Sequence, residues 1–182
     1  APLAPTVSGI ENSRYNTSKT FTYSGEPDAT IQYTIDAGAT WIDGSGTTLN
    51  IEGTYIVKGR QKDLAGNTSS ESVAITVIID NSEPLPPMIS GIMEGTYNTT
   101  QSFSLSGEDG ATLQYSFDGS NWNTLSSGSS RDLTADGTYN VRARQIDLAG
   151  NYSDPNPTSI VTVIIDKTAP ILISKLPEDN SV

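Results

Sequence analysis

Cysteine and histidine are both missing from these 182 residues. Their absence removes disulfides, thiolate nucleophiles, Cys/His zinc sites and the imidazole on which serine triads and much acid-base chemistry depend. Bases are scarce: 10 Lys and Arg stand against 21 Asp and Glu, a net charge of −11. That is the wrong sign for neutralising phosphates or docking on anionic lipid, so nucleic acid is not an expected partner. No run of 18 apolar residues occurs, and membrane insertion is not expected. The opening Ala-Pro-Leu-Ala-Pro has no basic segment followed by an apolar stretch, which places any export signal upstream. With 35% hydrophobic residues and no disulfide framework, a full apolar core must carry stability.

What is present repeats. Ser8-Gly9-Ile10 returns as Ser90-Gly91-Ile92, Tyr15-Asn16-Thr17 as Tyr97-Asn98-Thr99, and Phe21 as Phe103, all 82 residues apart. Asp63-Leu64-Ala65-Gly66-Asn67 returns 84 residues later as Asp147-Leu148-Ala149-Gly150-Asn151, and Thr76 to Asp80 returns 86 later as Thr162 to Asp166. The drift falls between motifs, as loop insertions would. A fixed period of this size means an array of like modules. Pro-bearing stretches, Glu83-Pro84-Leu85-Pro86-Pro87 and Thr168-Ala169-Pro170, separate them as short, stiff linkers. The expected organisation is a first domain over 1–83, a second over 84–168, and the start of a third repeat or a C-terminal tail over 169–182. Each of the two full repeats carries five more acids than bases, so the acidity belongs to the repeating unit.

Within a unit the apolar period is two, and no stretch sustains a helical period. Tyr139, Val141, Ala143 and Gln145 share one face of a strand while Asn140, Arg142 and Arg144 share the other; Tyr55, Val57 and Gly59 repeat the scheme. Phe21/Tyr23 and Phe103/Leu105 mark a second strand, Ile31/Tyr33/Ile35 and Leu113/Tyr115/Phe117 a third. Val73 to Ile79 and Ser159 to Ile165 mark the last. Asp36 to Thr40 before Trp41, and Asp118-Gly119-Ser120-Asn121 before Trp122, read as hairpin turns, because Gly tolerates positive φ and Asp caps the turn. The fold class that follows is all-β: two tandem sandwiches of about seven strands each, joined by a short Pro-containing linker.

Glu52-Gly-Thr-Tyr55-Ile-Val57 and Asp136-Gly-Thr-Tyr139-Asn-Val141 resemble the immunoglobulin tyrosine corner, with Val57 and Val141 in place of one disulfide half. The run Asp-Leu-Ala-Gly-Asn-x-Ser, then a last strand Thr-Val-Ile-Ile-Asp, then a Pro linker, resembles the bacterial immunoglobulin-like or fibronectin III-like repeats of cell-surface adhesins and secreted proteins. Gln-Tyr-Ser-Phe-Asp118-Gly-Ser is also similar to accessory sandwich modules of carbohydrate-active enzymes. The resemblance implies a non-catalytic, extracellular spacer that supports adhesion. The alternative is an accessory or carbohydrate-binding module of a secreted glycan-active enzyme. Expected partners are neighbouring repeats of the same chain and a host or cell-wall glycan or protein, with the chain itself a monomer.

Three candidate sites follow. Asp80, Asn81, Glu108, Asp109, Asp147 and Asn151 form a candidate calcium set, since calcium takes six to eight hard oxygen ligands and related adhesin repeats stiffen their linkers with it. Against that stands the ordinary role of Asp147 and Asn151 in satisfying their own hairpin backbone. No cofactor is otherwise required. Trp41 and Trp122 are candidate sugar-stacking residues, against the common fate of large aromatics, which is burial. An intramolecular Lys-Asn isopeptide bond needs a buried Lys, yet Lys19, Lys58 and Lys62 align with Gln101, Arg142 and Ile146, so no Lys recurs. Four sequons, at Asn16, Asn67, Asn98 and Asn151, fall at expected turns and carry little specificity. No catalytic constellation is visible.

Overall fold

The computed structural model describes residues 1–154 and 160–171. Every regular element among them is a strand. The first unit contains β1 (Thr6–Ser8), β2 (Ser13–Tyr15), β3 (Lys19–Ser24), β4 (Thr30–Thr34), β5 (Ile42–Asp43), β6 (Gly46–Leu49), β7 (Gly53–Lys62) and β8 (Ile75–Ile79). The second contains β9 (Met88–Ser90), β10 (Gly95–Tyr97), β11 (Gln101–Ser106), β12 (Thr112–Ser116), β13 (Asn123–Thr124), β14 (Ser130–Leu133), β15 (Gly137–Ile146) and β16 (Val161–Ile165). In the first, a sheet ordered β1-β3-β6 faces one ordered β2-β8-β7-β4-β5; the second repeats this as β9-β11-β14 and β10-β16-β15-β12-β13. β2 pairs with β8, and β10 with β16, in parallel, so that the early strand of a unit runs alongside its last strand in the same direction.

The recurrent Ser-Gly-Ile motif has a steric cause. Immediately after β1 and β9 the chain crosses from one sheet to the other. At the crossing Gly9 and Gly91 take φ near 90° and lie against the neighbouring strand. A Cβ at Gly9 would stand 2.3 Å from the Thr20 carbonyl oxygen, and one at Gly91 2.7 Å from that of Ser102, so only glycine fits.

Each unit has its own core. In the first, Phe21, Tyr23, Tyr33, Leu49, Val57, Val77 and Ile79 are buried; in the second, Phe103, Leu105, Leu113, Tyr115, Leu125, Leu133, Val141, Ala143, Val163 and Ile165. Full burial of one such side chain contributes about 1.5–3 kcal/mol. The aromatic rings meet edge to face, Phe21 with Tyr33 at 5.3 Å and Phe103 with Tyr115 at 5.4 Å between centroids, an arrangement their quadrupoles favour.

The alternation expected from sequence places the right residues inward: Val57, Val141 and Ala143 are fully buried. Some boundaries differ: the third expected strand ends at Thr34 and at Ser116, before Ile35 and Phe117. The last strand of the first unit starts at Ile75, and Val73, 86% exposed, lies outside it. Ser72 holds the chain there instead, its hydroxyl accepting from the Gly59 amide at 2.9 Å and meeting the Tyr23 hydroxyl at 3.2 Å. The matching strand in the second unit begins at Val161; Ser159 lies outside the described residues, as does the tail expected to open a third repeat from 172 onward.

Candidate functional surface

The fourth inward position of the long strand in each unit is glutamine, not a hydrophobe. Gln61 and Gln145 are both 1% exposed. A buried amide is tolerated only when its donors and acceptors are matched, and here they are. Gln61 accepts the Glu26 amide at Oε1, 2.8 Å away, and donates from Nε2 to the Leu3 carbonyl at 2.7 Å, while its own backbone amide donates to Ser69 Oγ at 3.0 Å. Gln145 repeats all three bonds with Glu108 (2.9 Å), Leu85 (2.6 Å) and Ser153 (2.9 Å). The side chain thus ties the segment leading into the unit to the loop after β3 or β11.

At the far end of the same strands, Tyr55 donates its hydroxyl to the Ile51 carbonyl at 2.7 Å, and Tyr139 to Ala135 at 3.0 Å. The tyrosine corner is therefore formed in both units.

The candidate tryptophans follow the hairpins that β4 and β12 lead into. Thr34 donates to Asp36 and Ser116 to Asp118; those carboxylates in turn accept from Thr40 and from Asn121, closing each turn on itself. The Thr34 and then the Thr40 hydroxyls hold Asp36 far below the usual carboxylate range. For Asp118 the Asn121 amide does so first, followed by the Asn121 side chain. The chain then delivers Trp41 and Trp122 half-buried onto the outer face of the larger sheet. The Arg60 guanidinium lies 4.1 Å from the Trp41 ring centroid and that of Arg144 4.3 Å from Trp122. Both arginines are oriented by a cross-strand glutamine, Arg60 Nε donating to Gln32 Oε1 at 2.8 Å and Arg144 Nε to Gln114 Oε1 at 2.7 Å. In each unit one indole face therefore carries an arginine that sequence reasoning did not connect with it. The signal was available in the strand alternation, which puts Arg60 and Arg144 on the outer face, but the partner lies on another strand.

Of the candidate calcium set, Asp80, Glu108, Asp109 and Asp147 line one pocket, and the Asn151 side chain donates to the Asp80 carbonyl at 2.8 Å, but Asp80 and Asp147 each have their own partners. Asp80 accepts from Arg14 at 2.8 Å. Asp147 Oδ1 accepts the Ala149, Gly150 and Asn151 amides at 2.8, 2.7 and 2.9 Å, and Oδ2 accepts the Asn151 side chain at 2.9 Å. Partial burial works against ionisation of Asp147, yet the bonds from Asn151, Ala149 and Gly150 together outweigh it and lower its pKa. Asp63 and Asn67 form the same turn in the first unit, where the Asn67 side chain and then its amide lower the Asp63 pKa. Glu108 is engaged through its backbone by Gln145, and Asn81 and Asp109 are exposed. Among the described residues no three acidic side chains gather in a group fit for a metal ion. None of the three lysines considered for a covalent cross-link is buried: Lys58 pairs with Glu71 at 2.9 Å, Lys19 lies over the Tyr15 ring and Lys62 is exposed. Among the described residues no helix is long and apolar enough to cross a membrane.

No family model matches the chain, and no curated protein matches it. Among solved structures it is similar to the FN1-FN3 domains of chicken CNTN1, at 13% identity and a TM-score of 0.45, over 90% of this chain and 66% of that one. It is also similar to the D00-D0 domain of intimin, at 10% identity and a TM-score of 0.36, over 90% of this chain and 98% of that one. The chain thus spans just under two thirds of the CNTN1 chain. The fold rests on its own ladders: two facing sheets per unit, an early strand that switches sheets, and a tyrosine corner. Both units are immunoglobulin-like β-sandwiches.

Proposed function

We propose that the two sandwiches are non-catalytic spacer repeats of a bacterial cell-surface or secreted protein, serving adhesion by holding another part of that protein at a distance. The observation that carries this reading is the duplication of the fixing bonds. The Gln clamp, the tyrosine corner and the closed Asp turns recur in both units. Positions kept alike in two copies are those that set shape. The engagement of Asp63 and Asp147 by their own turns supports turn capping over metal binding for these acids. The arginines over Trp41 and Trp122 support a packing role for the indoles over a sugar platform.

The test replaces both units, in the full-length protein, by two unrelated sandwiches of the same length. Adhesion is expected to persist. Its loss, while the exchanged protein still reaches the surface, would refute the spacer reading and favour a ligand held by these units themselves. A glycan array that lights up with the isolated chain, and loses signal on Trp41→Ala, would favour the carbohydrate-binding alternative.

A further inference from the structure

The two units differ in how fully they fill the gap between their sheets. In the first, a groove of about 250 Å³ opens between edge strands β5 and β6, lined chiefly by Tyr33, Ile35, Ile42, Leu49, Ile51 and Tyr55. Ile42 and Ile51 are 43% and 71% exposed, unusual for isoleucine. The second unit fills the corresponding place with its own side chains. Gly44 and Leu125 are equivalent, since each donates its amide to the carbonyl of the second residue of β4 or β12, to Ile31 at 2.9 Å and to Leu113 at 3.0 Å. Leu125 is 8% exposed and belongs to the core. Ile35 is matched by Phe117, whose ring packs 5.2 Å from Tyr139 and 5.3 Å from Tyr115. Glycine and isoleucine thus leave in the first unit a space that leucine and phenylalanine occupy in the second.

The lining side chains are uncharged, but the stretch of chain that supplies them is acidic. From Tyr33 to Tyr55 the chain carries Asp36, Asp43 and Glu52 and no Lys or Arg. As the edge of its sheet, β6 has one side unpaired and open to another extended chain. We propose that this groove is a binding site for a cationic extended peptide segment, which lies along β6 and inserts one leucine or phenylalanine side chain where Leu125 and Phe117 sit in the second unit. Such binding is independent of the spacer role and concerns the first unit alone.

The experiment titrates the isotope-labelled chain with acetyl-Lys-Thr-Val-Leu-Val-Thr-Lys-amide and follows backbone amide shifts. Perturbations are expected along Gly46–Leu49 and at Ile51, with no matching set at Ser130–Leu133. A peptide with Ala in place of Leu is expected to bind about tenfold more weakly or worse, from the apolar area it cannot bury. Ile35→Phe fills the groove and is expected to abolish the effect. Should that variant fail to fold, Ile51→Lys, at an exposed position, decides the matter by setting like charge against the peptide. The proposal is overturned by silence at millimolar peptide, by equal binding of the Ala peptide, or by unchanged binding to Ile51→Lys. It is also overturned if the same shifts appear on concentrating the chain alone, which would make a second copy the occupant.

Discussion

Laid one on the other, the two sandwiches agree in their bonds and disagree in their volumes. Gln61 and Gln145 make the same three hydrogen bonds. Yet Tyr23 of the first unit faces a place that Leu105 takes in the second, and beside it Gly59 answers to Ala143. A Cβ at Gly59 would come 2.5 Å from the Tyr23 ring, so the larger ring and the missing methyl are one compensated change. Polar bonds that must be satisfied inside a core tolerate no drift, whereas apolar volume can be traded between neighbours so long as the sum is kept.

The largest effect should come from the shared feature. Gln61→Leu and Gln145→Leu each leave a part-buried amide and a part-buried carbonyl without their partner, and each is expected to cost about 3 kcal/mol. Each unit holds one tryptophan, so urea melts of Trp122→Phe and Trp41→Phe backgrounds read the two units separately. Unequal losses would break the equivalence of the clamps. Next, Gly59→Ala is expected to destabilise the first unit by roughly 2 kcal/mol through overpacking against Tyr23, and Tyr23→Leu in the same chain should recover much of it. Additive losses in that double-mutant cycle would mean the two positions are not a pair. Smaller still, Tyr55→Phe and Tyr139→Phe should each cost about 1 kcal/mol, the usual net value of one hydrogen bond.

The smallest and most gradual effect is that of acid. Asp36, Asp63, Asp118 and Asp147 all have pKa values lowered by folding. Their contribution is therefore complete above the unfolded carboxylate value of about 4, and is lost as pH falls below it toward the folded values. Urea midpoints of both units should decline together from about pH 4.5 to 3. Asp36→Asn should flatten the slope of the first unit only. If it does not, the turn carboxylates are not the source.

The sequence carried the sheets because alternation survives in strands long enough to show it: β7 and β15, at ten residues each, announce their buried faces plainly. It could not carry β2 and β10, since three residues hold no period. It also missed β6 and β14, where Leu49 and Leu133 are the only buried residues in otherwise polar segments. The tyrosine corner was legible because its spacing along the chain fixes its bond. Gln145 was placed on the inward face, but what it held there depends on the Leu85 carbonyl and the Glu108 amide, distant in sequence. The same holds for the tryptophans, whose arginines stand on a neighbouring strand. The groove of the first unit was hidden for a plainer reason: it is made by what Gly44 lacks.

The parallel pairing of β2 with β8, and of β10 with β16, has a consequence for tension. Because the two strands point the same way, dragging the beginning and the end of one unit away from each other slides one along the other and loads their ladder bonds all together. A hairpin pulled at its open ends would instead break its bonds singly, like a zip. Each sandwich is thus latched so that a tug along the chain meets its greatest resistance at the outset, before any of its core is exposed.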